Sequence, residues 1–125
     1  MMMEVLNKYP KAAEVVRTYY LEVMLESLKT DELPENFKEY VREKGLSNED
    51  IAKMLDAAPR GLFDAFDANG IFIEISVSNG DFSYKIYPRD AKFLNVKWYK
   101  TRKEAEKLAT IDAFKVLEDA LTVSE

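Results

Sequence analysis

Any chemistry in this 125-residue chain must be done by carboxylates, amines, guanidines, hydroxyls and phenols, because it contains no histidine and no cysteine. Imidazole bases, thiolate nucleophiles, disulfides and zinc sites built from those ligands are therefore excluded. Two carboxylate groupings remain. Asp67, Asn69, Gly70 and Glu74 look like part of a calcium loop. With Gly70 at the sixth position, however, the first ligand would be Ala65 and the twelfth Ser76, where a bidentate Glu belongs. Both anchoring ligands fail, and the segment reads as a turn from helix to strand. Glu35, Glu39 and Glu43 recur at every fourth residue, interleaved with Lys38, Arg42 and Lys44. That spacing describes a solvated helix face rather than an acid–base pair.

No Gly-x-Ser-x-Gly, P-loop or Gly-x-Gly-x-x-Gly motif is present. The chain reads as a non-catalytic accessory or interaction protein without cofactor or metal. Its cations are unevenly placed. Residues 1–69 hold 9 basic and 14 acidic residues, net −5, and residues 70–125 hold 9 of each. Within the second half, residues 83–107 carry eight cations against Asp90, Glu104 and Glu106, net +5. Lys97, Lys100, Arg102, Lys103 and Lys107 are the candidate contacts for nucleic acid, the alternative reading, if they share one face free of carboxylates. Lys115 and Glu118, with Lys107, read as the solvent side of the last helix.

These residues have to be positioned by a single domain spanning residues 1–125, as the length and the 47% hydrophobic fraction suggest. The opening Met1-Met2-Met3-Glu4-Val5 has no basic n-region followed by an apolar run, so no signal peptide is read there. No stretch approaches the roughly 20 apolar residues of a membrane span. A cytoplasmic protein is expected.

The first half, 1–69, reads helical. A first helix is expected over Tyr9–Leu28, capped by Asn7, with Pro10 in its first turn. Val5, Tyr9, Ala12, Val16, Tyr19 and Val23 form its apolar stripe, flanked by Ala13, Tyr20, Met24 and Leu28. That stripe serves a core or a homodimer seam. A second helix follows Pro34, with Phe37, Tyr40 and Val41 apolar and Gly45 ending it. Ser47 caps a third, paired with Asp50, whose apolar face is Ile51, Met54, Leu55 and Ala58. Pro59 redirects the chain.

The second half, 70–125, reads strand, strand, strand, helix. Ile71, Ile73, Ile75 and Val77 alternate with polar residues up to Asn79-Gly80, after which Phe82, Tyr84 and Ile86 alternate again. A two-residue turn at Asn79-Gly80 fixes the register: Val77 with Phe82, Ile75 with Tyr84, Ile73 with Ile86, Glu74 with Lys85, Phe72 with Tyr87. A third strand is expected over Phe93–Tyr99, with Leu94, Val96 and Trp98 on one face. Thr101 and Glu104 form a capping box for the last helix. Ala105, Ala109, Ala113, Val116 and Ala120 share that helix's buried side. The fold expected is α+β: N-terminal helices, a three-stranded antiparallel meander, and a C-terminal helix packed on the sheet.

Residues 47–66 resemble a helix-turn-helix motif, with Ile51, Ala52, Leu55 and Leu62 as packing positions. The would-be recognition helix offers Arg60 as its cation and carries Asp64 and Asp67, which phosphates repel. The C-terminal half, with Thr101-Arg102-Lys103-Glu104-Ala105-Glu106-Lys107-Leu108-Ala109 and then Ala113-Phe114, resembles the end of a double-stranded RNA-binding domain. Arg102 and Lys103 fall on the first two basic positions of that family, and Ala105, Ala109 and Ala113 on its small packing positions. Glu106 reverses the third basic position, and the glycine-rich lead-in is absent. The resemblance implies a β-β-β-α unit gripping phosphates across a groove. The stretch Trp98–Leu117 also resembles the C-terminal segment of small uncharacterised proteins of phages and mobile elements of gut bacteria, which implies an accessory role. The partner expected is protein, with self-association through the first helix or a sheet edge as one form. Tyr87, Phe93 and Tyr99 are the aromatics expected at the surface.

Overall fold

Residues 2–28, 34–87 and 97–123 are described by the computed structural model. Ser47 accepts the Asp50 N–H at 3.2 Å, and the Asp50 carboxylate accepts the Ser47 N–H at 2.9 Å. This two-way cap fixes where a helix starts, as the sequence predicts. Gly45 ends the preceding helix with φ +64°, a conformation glycine adopts without a Cβ clash. The helices are α1 (Met3–Lys8), α2 (Pro10–Leu28), α3 (Glu35–Lys44), α4 (Asn48–Ala57) and α5 (Phe63–Ala68). A 3₁₀ turn, Pro59–Leu62, leads into α5. Strands β1 (Phe72–Ser78) and β2 (Asp81–Tyr87) follow, then helix α6 (Arg102–Val123).

The start of the chain differs from expectation. Asn7 lies inside α1 rather than at the start of α2. Pro10 has no N–H to offer the preceding turn, so the helical ladder breaks at Tyr9 and restarts as α2. The cap of α2 comes from 107 residues away. Glu118 on α6 accepts the Lys11 N–H at 2.8 and 3.0 Å and the Ala12 N–H at 3.2 Å.

The hairpin has the predicted register at every pair from Phe72–Tyr87 to Ser78–Asp81. Asn79 and Gly80 take φ +52° and +80°, the mirror-image turn that matches strand twist. The three-stranded meander, by contrast, is not formed among the described residues. Among the described residues the sheet has two strands. Phe93–Val96 lie outside the described residues. Lys97–Tyr99 contribute a single antiparallel bridge, Phe82 with Tyr99, before Thr101 starts α6. In that bridge Tyr99 takes the side facing α6 and stacks on Tyr84. Neighbouring residues in an extended segment point to opposite sides, so Trp98 faces outward and is 49% exposed.

Helix α6 is the hub of packing. It touches β1, β2, α1, α2, α4, α5 and the 3₁₀ turn. Ala105, Ala109 and Ala113 are fully buried, letting α6 sit close to its neighbours. Ala120, expected on that side, is exposed, because the buried side ends near Leu117. One core cluster joins Val5, Leu6, Val16, Leu55, Phe66, Ile86 and Phe114, with the Phe66 and Phe114 rings edge-on at 5.1 Å. The N-terminal part of the α2 stripe, Ala12 and Val16, belongs to this core, and Val23 at its far end is exposed. Ile51, Ala52, Leu55 and Leu62 are buried as the helix-turn-helix likeness requires. The segment after Pro59 forms a 3₁₀ turn and the six-residue α5, whose Ala65 and Phe66 face the core.

Candidate functional site

The Thr101 hydroxyl accepts the Glu104 N–H at 3.1 Å and sets the start of α6. Just before it, the Phe82 N–H donates to the Tyr99 carbonyl at 2.8 Å, and the Tyr99 N–H donates back at 2.7 Å. The last two bonds pin Tyr99 to the hairpin, and the first sets the cap of α6 two residues later. Four of the five sequence-predicted cations, Lys97, Lys100, Arg102 and Lys103, are thereby gathered at one end of the molecule, all exposed.

Their surroundings are mixed in charge. The Arg102 guanidinium lies over the Phe82 ring, 5.1 Å from its centroid, a contact worth about 0.5–1 kcal/mol at a surface. Lys100 Nζ is 3.3 Å from Asp81 Oδ1. Glu104 is exposed between Lys103 and the next turn, whereas Glu106 is buried and absent from the basic surface.

Lys107 is not in this group. Its Nζ is 2.9 Å from Asp56 Oδ1 on α4, and the same carboxylate accepts the Met2 N–H at 3.2 Å. The Lys107 hydrogen bond holds the Asp56 carboxyl below the usual carboxylate range, against a smaller effect of burial. Lys107 therefore ties α6 to α4. Glu118, also expected on the solvent side, caps α2, and Lys115 is half-buried. The error has one cause: α6 is wrapped by helices on more sides than a helix lying on a sheet would be.

Beneath the basic end sits a cluster that residue spacing did not reveal. The Tyr84 hydroxyl donates to Asp112 on α6, and the Tyr84 and Tyr99 rings stack at 6.2 Å and 13°. Burial pushes the Asp112 carboxyl up, opposed by the Tyr84 hydrogen bond and Lys115. Burial, then the bond to Asp112, pushes the Tyr84 phenol up, and burial does the same to Tyr99. The cluster clamps the hairpin and the segment before α6 to α6 itself. Tyr87 and Tyr99, expected at the surface, are half-buried, and Phe93 lies outside the described residues. The exposed large apolar side chains on this part of the fold are Phe72, Val77 and Trp98.

Among the described residues no three carboxylates converge to hold a metal ion, and no helix is long and apolar enough to cross a membrane. Comparison with protein-family models, curated proteins and solved structures finds no match.

Proposed function

We propose that this chain is a small non-catalytic interaction protein, of the accessory kind, whose working surface is the basic, aromatic end formed by Lys97, Trp98, Lys100, Arg102 and Lys103. The ligand favoured is a protein segment of mixed, mainly acidic character. One observation carries this choice: Asp81 pairs with Lys100 and Glu104 is exposed one residue after Lys103, in a segment whose Trp98 is 49% exposed. Carboxylates set between cations repel a polyphosphate backbone. An exposed Trp in the same short segment as an Arg is instead the composition of protein–protein hot spots. The test is capture of partners from the native host on immobilised wild-type, Trp98→Ala and Arg102→Ala proteins. The same captured proteins should be depleted on both variants. Equal capture on all three baits overturns the reading.

A second reading has one observation in its favour. Trp98 flanked by Lys97 and Lys100 provides a stacking platform with cations on both sides, which suits single-stranded nucleic acid. An anisotropy titration at low salt with single strands and duplexes decides it. Binding weakened by Arg102→Ala, with a shallower salt dependence, establishes it in place of the first.

A further inference from the structure

We propose that β1 is a pairing edge for a second copy of this chain, the two β1 strands running antiparallel about a two-fold axis at Ile75. The inference does not depend on the basic end. It starts from hydrogen bonding. In the observed register Phe72, Glu74, Ser76 and Ser78 pair with β2, so the N–H and C=O groups of Ile73, Ile75 and Val77 point away from it. Among the described residues nothing accepts from or donates to those groups. The other side of the hairpin is engaged, because Phe82 of β2 bonds to Tyr99. Among the described residues the open edge of the hairpin is therefore β1.

Natural monomers guard such an edge with Lys, Pro or a bulge. Residues 72–78 read Phe-Ile-Glu-Ile-Ser-Val-Ser, without Lys, Arg or Pro, and the register runs without a bulge. The two most exposed apolar side chains of the hairpin also lie on this strand, Phe72 at 51% and Val77 at 54%.

The strand is complementary to itself in one register. With the axis at Ile75, Ile75 meets Ile75 and Ile73 meets Val77, so every outward backbone group finds a partner. On the other face Glu74 meets Ser76 and Phe72 meets Ser78. Moving the axis to Glu74 sets two carboxylates directly opposite each other. Moving it to Ser76 sets Ile73 against Asn79, which is in the turn. Glu74 already lies across from Lys85 and accepts the Tyr87 hydroxyl at 3.2 Å, so no unbalanced charge sits near the axis. The product is a continuous four-stranded sheet, β2–β1–β1–β2.

Sedimentation equilibrium across the micromolar range tests this, with folding of each variant checked by circular dichroism. Wild type should show a concentration-dependent species of twice the monomer mass. Val77→Lys adds the missing guard at an exposed position and should leave a monomer. The register makes a sharper demand. Ser76→Glu would face the partner's Glu74 twice per dimer and should weaken association by about tenfold, whereas Ser76→Lys should tighten it several-fold. A monomer at every concentration overturns the proposal. So does a dimer on which the two Ser76 substitutions act alike, or one that Val77→Lys leaves unchanged.

Discussion

Removing the Glu118 carboxylate should loosen the start of α2, although the residue is 107 positions away in sequence. The first turn of α2 has no acidic side chain of its own, and Pro10 supplies no N–H. The orphan donors at Lys11 and Ala12 are satisfied by Glu118, at 2.8 to 3.2 Å. Losing a helix cap costs about 1 kcal/mol. The charge at a helix N-terminus adds about 0.3–1 kcal/mol. Glu118→Ala should therefore destabilise by about 2 kcal/mol, and Glu118→Gln, which keeps one acceptor oxygen, by about 1 kcal/mol. At about 2.1 cal/mol/K per residue, the unfolding entropy is about 0.26 kcal/mol/K for this length, so Glu118→Ala lowers Tm by about 8 °C. Urea unfolding at unchanged slope gives the free energies, and Glu39→Ala, on an exposed position of α3, is the control. Amide exchange at Lys11 and Ala12 should accelerate more than at Val16. The capping argument is refuted if Glu118→Ala matches Glu39→Ala, or if exchange at those two amides is unaltered.

Three further expectations concern the core, the turn and alkaline pH. Phe114→Ala should cost about 3–5 kcal/mol, because the ring is fully buried against Phe66, and Phe114→Leu distinctly less; urea midpoints measure both. Gly80→Ala should cost about 1 kcal/mol at φ +80°, whereas Asn79→Gly should be close to neutral, a contrast that thermal melts resolve. Burial pushes the Tyr20 phenol up to about 12, and its hydroxyl donates to the Gly61 carbonyl. The unfolded phenol loses its proton near pH 10 while the folded one keeps it, so this contribution is fully present below about pH 10 and is lost as pH rises to about 12. Urea titrations in that window should show a shallower decline for Tyr20→Phe than for wild type, and parallel declines would contradict the assignment.

Local signals in the sequence carried well where a short stretch settles its own geometry. Ser47 with Asp50, Gly45 and Asn79-Gly80 each determine a cap or turn within four residues, and all three are observed. The hairpin register followed because apolar and polar pairing agreed on both faces. Among the described residues the third strand is reduced to one bridge at Tyr99. Alternation in Leu94, Val96 and Trp98 could not show that the described end, Lys97–Tyr99, meets β2 at one residue and that Tyr99 faces α6. Helical spacing had the same limit on α6. It identified Ala105, Ala109 and Ala113 as buried, but could not tell a solvent face from a face covered by α1, α2 and α4.

That limit explains why the basic run was only partly legible as a site. Five cations spaced along 97–107 look equivalent in sequence, yet their partners lie far away. Asp56, fifty-one residues upstream, takes Lys107, and Asp81 takes Lys100, while the Phe82 ring takes Arg102. Asp112 behaves likewise: its position on α6 is unremarkable until the hairpin register brings Tyr84 over it. Lys107, Asp112 and Arg102 thereby tie α6 to α4 and to the hairpin, while Lys100 is balanced by a carboxylate at the surface. The surface left for a partner is therefore smaller and less basic than its sequence, and it is Trp98 rather than a continuous line of lysines that distinguishes this end. A ligand selected by charge alone would have little reason to prefer it, whereas one that buries an indole would. Increasing salt should then weaken partner capture only modestly while Trp98→Ala abolishes it, and the reverse order of effects would return the site to its lysines.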